Sequence, residues 1–415
     1  MQLLNCRGAE NPIITYESGK KGGLSMFQSR NLIVATAALL TFGALAHPAI
    51  GADPGVFDDK ILFGQSAAFD GPAAALGIGM REGIQAAFNE ANATGGVNRR
   101  KLELVAYDDG YEPERAIANT RKLIDVDGVF ALIGEVGTPT SAAAQPIATE
   151  AGVPFIGPFT GAGFLRDPAL TNVVNIRGSY DQETEAWIEH LTNDLGLTKI
   201  AILYQDDSFG RAGLSGVTKA MDKRGIKPVA EGTYERNTTA VKMALLGIRK
   251  AEPEAVVMIG AYKPVAEFIK LARKLKMDPV FVNISFVGSN ALAKELGTDG
   301  DGVVITQVVP FPEDTSLPMV AHYQAALKAM NPNAEIGFVS LEGYMVGSLV
   351  VQVLQDMKDP LNRADFLATV KSTGAFDLGG VSLTFGPDDN QGMDEVFLTV
   401  IQADGSFKAV DRLER

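Results

Sequence analysis

"VFALIGEVGTPTSAAAQP", residues 129–146, runs from an apolar segment through two glycines and three hydroxyls into an alanine-rich one. Val129–Gly134 reads as a buried strand and Ser141–Ala151 as a helix. Gly134, Gly137, Thr138 and Thr140 lie in the connection between them. Backbone N–H groups and the helix dipole converge where such a loop enters a helix, which suits the segment to an anion. The anion is a nucleotide phosphate, a reaction oxyanion or the carboxylate of a small metabolite.

The same transition recurs on both sides. Strands are predicted at Ile61–Gln65, Leu102–Tyr107, Pro154–Ile156 and Asn172–Ile176. A second series falls at Lys199–Tyr204, Pro228–Tyr234, Ala255–Ile259, Val280–Asn283 and Gly302–Thr306. Helices are predicted between them at Ala74–Asn92, Glu112–Asp125, Gln182–Leu195, Gly210–Lys223, Thr239–Lys250 and Val265–Leu275. In the first of these, Leu76, Met80, Ile84 and Phe88 return every fourth residue. Such alternation builds parallel sheets with helices on both faces, and two successive series predict an α/β chain of two Rossmann-like lobes. The rhythm breaks at "VVPFPEDTSLP", residues 308–318, whose prolines mark a linker. Helices at Pro318–Met330, Phe338–Asp356 and Arg363–Ser372 follow, then strand-like runs at Val381–Phe385 and Glu395–Gln402 and the turn "ADGSF". These last elements are expected to return and complete both lobes.

The chain has 415 residues, 46% of them hydrophobic and 21% charged, which is enough for two domains. From Met26, a short basic region with Arg30 precedes the apolar stretch Leu32–Ala46 and small-residue cleavage sites at Ala44-Leu45-Ala46 or Ala49-Ile50-Gly51. This reads as a secretory signal peptide, with Met26 the better initiator, residues 1–52 removed and the mature protein beginning near Asp53. The only cysteine, Cys6, lies in that segment, ahead of the apolar stretch, so a mature chain has no thiol, disulfide or lipid-anchor cysteine. An exported, unlipidated chain points to a bacterial periplasm.

The net charge is −13; residues 1–52 hold four basic and two acidic side chains, leaving 33 basic against 48 acidic ones, or −15. That balance argues against nucleic acid and anionic lipid as partners. The glycines of Gly77-x-Gly79-x3-Gly83 and Gly210-x2-Gly213-x2-Gly216 match no nucleotide fingerprint, and no lysine completes a Walker pattern. His190 and His322 have no companion at metal spacing. Neither a metal site nor a cofactor is expected, and no nucleophile–base set argues for an enzyme.

Read in order, the motifs resemble a known family. They are Gly71-Pro72-x3-Leu76-Gly77; Asn89-Glu90-Ala91-Asn92-x2-Gly95-Gly96-Val97; Leu102–Val105 followed by Asp108-Asp109, Pro113 and Ala116; and Gly134 with Thr138. "AGVPFIGP" (151–158), "DDSFGRAG" (206–213) and Gly343-Tyr344 complete the set. Each is weak alone, but their order and spacing resemble the type 1 periplasmic substrate-binding proteins of ABC importers, in the leucine/isoleucine/valine-binding branch, over Lys60 to Phe407. The resemblance implies two α/β lobes joined by a three-crossing hinge, with a ligand trapped between them, and a monomer. It divides the chain into residues 58–177 with 309–378 as one lobe and 178–308 with 379–412 as the other. It also implies a small-molecule carboxylate as ligand and an inner-membrane ABC permease as partner, or alternatively a sensor passing occupancy to a membrane receptor or kinase.

The same resemblance carries the candidate site. Thr138 aligns with a serine that hydrogen-bonds the ligand carboxylate, although Thr138, Thr140 or Ser141 also serves as a plain helix cap. Phe159, Thr160 and Gly161 align with the next ligand loop, Phe159 standing where smaller residues are usual, so it either walls the pocket or packs inward. Tyr262 aligns with an aromatic that closes over the ligand, or else packs under Pro264. Ser66 and Asp70 fall on a loop facing the cleft, and both fit ordinary turns. Ser285 stands where amino-acid binders place a glutamate for the ligand ammonium. A serine cannot neutralise a buried cation. Either Glu135 or Glu342 takes that part, or the ligand lacks an ammonium and is an amine-free acid, an aromatic acid or an amide. Glu342 also fits as a charge complement to the start of its helix.

Overall fold

Short runs of Val, Ile, Ala and Phe bounded by glycine and polar turns form the strands, and the longer amphipathic intervals between them form the helices. The computed structural model describes residues 52–414, so all but the last residue of the segment read as an export leader lies outside them. Within the described residues the chain begins β1 (Lys60–Ala67), α1 (Ala74–Ala93), β2 (Lys101–Asp108), α2 (Pro113–Asp125), β3 (Ala131–Ile133) and α3 (Thr138–Glu150). Next come β4 (Phe155–Ile156), β5 (Val173–Val174), α4 (Tyr180–Asn193), β6 (Ile200–Gln205), α5 (Ser208–Lys223) and β7 (Ala230–Tyr234). They are followed by α6 (Lys242–Arg249), β8 (Ala255–Ile259), α7 (Tyr262–Lys274), β9 (Val280–Asn283), α8 (Ser289–Leu296) and β10 (Val304–Gln307). The last elements are α9 (Pro318–Met330), α10 (Phe338–Asp356), α11 (Arg363–Thr373), β11 (Ala375–Asp377), β12 (Ser382–Thr384), β13 (Phe397–Ile401) and β14 (Phe407–Val410).

One sheet has the order β2-β1-β3-β4-β5 and is parallel throughout. The other has the order β14-β13-β10-β9-β8-β6-β7, with β13 and β14 antiparallel at one edge. In both sheets the strand order reverses, between β1 and β3 in one and between β6 and β8 in the other, so the strand ends there leave a crevice into which loops project. The chain passes from the first sheet to the second after β5, leaves it after β10 for three helices, and returns after β12.

Two expectations at the C-terminal end need correction. Val381–Phe385 joins neither main sheet, because β12 pairs only with β11 in a separate hairpin. The turn at 403–407 is followed by a further edge strand, β14. The helices α3, α5 and α7 also begin two or three residues earlier than their apolar periods suggest, at Thr138, Ser208 and Tyr262. Those first turns are polar or carry proline, so hydrophobic spacing does not register them. Asp207 caps α5, its carboxylate accepting from Phe209 N and Gly210 N at 2.9 and 3.4 Å.

Helix α10 is long and apolar enough to cross a membrane by composition, yet most of it is buried in the protein. It lies directly on α1. A Cβ on Gly83 would sit 2.0 Å from Ser340 O, and one on Gly343 would sit 2.3 Å from Met80 O. Glycine at both positions lets the two backbones touch, and this seats Glu342, the residue before Gly343, in the interior.

Candidate functional site

Residues 129–146 owe their local shape to backbone conformation. Gly137 precedes α3 at φ 103°, a region that a side chain strains, and its carbonyl and that of Val136 accept from the Thr140 hydroxyl. Thr140 is thereby committed to its own loop. Thr138, the first residue of α3, instead meets Thr160, their hydroxyls 2.7 Å apart. Thr160 Oγ1 lies 3.2 Å from the Tyr180 hydroxyl. All three side chains are buried, and they come from three separate connections of the first sheet's crevice. Gly161 seats the third of them: its carbonyl accepts from Tyr180 N at 2.7 Å, and a Cβ there would strike the Tyr180 ring.

Phe159 packs inward and is buried. Its ring lies 5.4 Å from that of Phe286, which in turn is 4.6 Å from Phe209 and 5.9 Å from Tyr111. On Phe159 rests the guanidinium of Arg177, its central carbon 4.7 Å from the ring centroid. Arg177 is completely buried. Its Nη2 donates to Ser285 Oγ and lies 3.8 Å from Glu183, and its Nε lies 3.6 Å from Glu342. Glu183 accepts from Ser285 N and Ser285 Oγ, both at 2.8 Å, and from Thr306 Oγ1 at 2.5 Å. Ser285 is therefore already engaged on both sides. Glu342 is buried on the second turn of α10 and faces Arg177, so it is no charge complement to the helix start. Burial pushes its pKa up to about 7, with Arg177 opposing the rise.

The remaining candidates divide. Tyr262 opens α7 and does not end a strand; its hydroxyl accepts across the cleft from Ala75 N at 3.4 Å. Beside this contact a groove of about 360 Å³ opens, lined in part by Ala75, Leu76, Gly288 and Ser340. Farther along the cleft, Arg236 reaches Glu112 at 2.7 Å, and Asn237 donates to Gly110 O at 3.0 Å. The two lobes thus meet at both ends of the crevice. Asp70 stands apart from the buried cluster: it is exposed and its carboxylate accepts from Gly71 N, an ordinary turn contact.

Ser66 is buried and donates to Asp109 at 2.9 Å. Burial raises the Asp109 pKa from 3.8 to about 6, against hydrogen bonds from Tyr111 N and Ser66. The adjacent Glu135 is fully buried, with neither carboxyl oxygen partnered among the described residues. Burial pushes it well above the usual carboxylate range, and the charge of Asp109 adds to the rise. A carboxyl with a raised folded pKa destabilises the fold once it ionises. The stability tied to Asp109 is therefore intact below pH 4 and is lost as pH rises toward about 6. The loss is about 3 kcal/mol by linkage. Asp109→Asn keeps one of the two acceptor oxygens and cannot ionise, so the stability difference between variant and parent, from denaturant titrations at pH 4 and pH 7, should shift by that amount in the variant's favour at pH 7. Equal behaviour at both pH values would contradict the assignment.

Arg177, Tyr180, Glu183 and Phe286 were not legible as site residues. Around "NIRGSYDQETEAW" (175–187) the evident signal is a helix start, and Ser179 and Gln182 do form a capping box there. The one hint was an arginine directly after an apolar strand.

Comparison with known proteins agrees with this architecture. Residues 60–406 match the family described as Periplasmic binding protein. A possible leucine/isoleucine/valine-binding protein from Rhodopirellula baltica SH 1 superposes with a TM-score of 0.81 at 40% identity, over 85% of this chain and 96% of that one. The Leu/Ile/Val-binding protein BraC3 of Rhizobium johnstonii is 28% identical over 284 residues, covering 66% of this chain and 72% of its own. An amino acid binding protein of Pseudomonas aeruginosa is 26% identical over 238 residues, which is 57% of this chain and 63% of that protein's length.

Proposed function

Because the chain belongs to the periplasmic binding protein family, we propose that it captures a small carboxylate between its two lobes and delivers it to an inner-membrane ABC permease. It is a solute-binding protein and not an enzyme. Family membership implies a periplasmic location, and the signal peptide beginning at Met26 accounts for the export. One lobe is formed by residues 58–177 and by 309 onward through the β11–β12 hairpin, which a boundary at 378 would split and whose following segment pairs with Asn175, and the other by 178–308 with β13 and β14.

The observation that carries the reading is the set of buried hydroxyls of Thr138, Thr160 and Tyr180 at the start of α3. Hydroxyls can turn their protons toward an arriving anion, and the helix start adds its dipole. Closure over the ligand removes water, which strengthens each of these bonds, and presents the permease with a distinct loaded shape. Phe159, Gly161, Tyr262, Ser285 and Glu342 shape the surrounding walls or hold them in place.

A thermal-shift screen of aliphatic amino acids, amine-free aliphatic acids and aromatic acids tests the proposal, since a ligand at 100 times its Kd adds about 2.7 kcal/mol of stability. The strongest compound is then titrated into Thr138→Ala by calorimetry. A lost hydrogen bond to a charged group is worth about 1.5–3 kcal/mol, so Kd should rise roughly 10- to 150-fold. Unchanged affinity removes Thr138 from the site.

A further inference from the structure

We infer that Arg177 sets the ligand class: its buried, unpartnered N–H groups beside the hydroxyl set select an amine-free carboxylic acid carrying a second oxygen acceptor, such as a 2-oxo acid or a dicarboxylate. The inference deepens the carboxylate-binding reading and rests on it.

The donors and acceptors around one buried cation set this preference. Ser285 Oγ accepts from Arg177 and donates to Glu183. Both oxygens of Glu183 are taken by Ser285 and Thr306, and Trp187 Nε1 donates to Thr306 Oγ1 at 3.1 Å behind them. The carboxylate beside Ser285 is thus committed to the protein, and the unpartnered acceptor nearby among the described residues is the amide oxygen of Asn283, which is neutral. Arg177 is the reverse case. A guanidinium has five N–H donors and no acceptor, and it does not lose its proton. Its Nε and Nη1 have no hydrogen-bond partner among the described residues, although the side chain is fully buried.

Arg177 is also close to the hydroxyl set. It stacks on Phe159, the neighbour of Thr160, and its positive charge eases the rise that burial imposes on the Tyr180 phenol. A ligand resting one carboxylate on Thr138, Thr160 and Tyr180 therefore presents its other atoms to the guanidinium. An oxygen acceptor there satisfies buried donors that are costly to leave bare. An ammonium meets a guanidinium whose charge is already balanced by Glu183 and Glu342, and both oxygens of Glu183 are taken.

The unpartnered carboxyl oxygens do not reverse the sign. Glu342 Oε1 points at Arg177 itself, 3.6 Å from its Nε. Glu135 lies beside Asp109, and both are raised by burial, which favours their protonated, donating forms.

The test is calorimetry of the unmodified protein with a matched pair, L-leucine and 4-methyl-2-oxopentanoate, which differ in the 2-substituent, with succinate as the dicarboxylate probe. One of the two amine-free probes should bind at least about 100-fold tighter than leucine. Arg177→Lys, which keeps the charge but loses the planar fork, should weaken that probe by at least tenfold without admitting leucine. Leucine binding as tightly as the acids overturns the inference and leaves the carboxylate-binding reading intact. No carboxylate of either kind binding, while an uncharged solute does, overturns both.

Discussion

Replacing Glu183 by alanine is expected to lower the unfolding free energy by about 3–5 kcal/mol, the cost of leaving a buried charge without its partner. Arg177 has no exposure through which solvent could compensate, and Glu342 faces it only through Nε. The substitution also strips the acceptor from Ser285 N, Ser285 Oγ and Thr306 Oγ1 at once. Those three donors lie on β9's following turn and on β10, so the loop that carries Phe286 into the cleft loses its tether to α4. Glu183→Gln keeps an acceptor oxygen and the side-chain volume but not the charge, and should cost less, about 1–3 kcal/mol. Urea denaturation of parent and both variants measures the order. An alanine variant within 1 kcal/mol of the parent would mean that Arg177 finds its counter-charge elsewhere.

The second large effect is steric. Gly83→Val places two methyl groups where Ser340 O already lies 2.0 Å from an added Cβ, and Gly343→Val does the same against Met80 O at 2.3 Å. Neither contact is the end of a flexible side chain; both are backbone inside helices, so relief requires α1 and α10 to separate. Overpacking of this kind costs about 1–3 kcal/mol for a methylene or two, and more when backbones must move. Valine at either position is therefore expected to prevent recovery of folded protein, and alanine to lower stability by at least the lower figure. Gly247→Ala is the control: it lies on α6, where an added Cβ meets nothing within 4 Å, and removing a helical glycine should stabilise by roughly 0.5–1 kcal/mol. If Gly83→Ala and Gly247→Ala behave alike in denaturation, the two helices are not in backbone contact. Separation of α1 from α10 would also move Glu342 away from Arg177, joining this packing to the site.

The strand–helix alternation was legible in the sequence because runs such as Ala255–Ile259 are apolar throughout and buried on both faces. The family resemblance placed Thr138 and Thr160 on neighbouring loops, and their hydroxyls do meet, whereas residue type alone left a plain helix cap equally open. Helix α8 was missed, its eight residues being too short to show a period after the buried turn at Ser285–Val287. The pairing of β12 was missed because three-residue strands carry no partner information. Arg177 and Glu183 were missed for a different reason. A charged residue in a sequence reads as surface, and only the fold shows that these two are enclosed together and face Ser285. The substitution that stood out at Ser285 was half of an exchange whose other half lay more than a hundred residues earlier, at Arg177.

The central claim is that the lobes close on a small carboxylate held by Thr138, Thr160 and Tyr180. Mass spectrometry of the compound released on denaturing freshly purified protein, followed by its calorimetric titration into a Thr138→Ala, Thr160→Val double variant, tests it most directly. The released compound is expected to be a carboxylic acid without a free amine, whose affinity falls by at least about 100-fold in the double variant. A released compound with no carboxyl group, or a carboxylate that binds the double variant as it binds the parent, would contradict it.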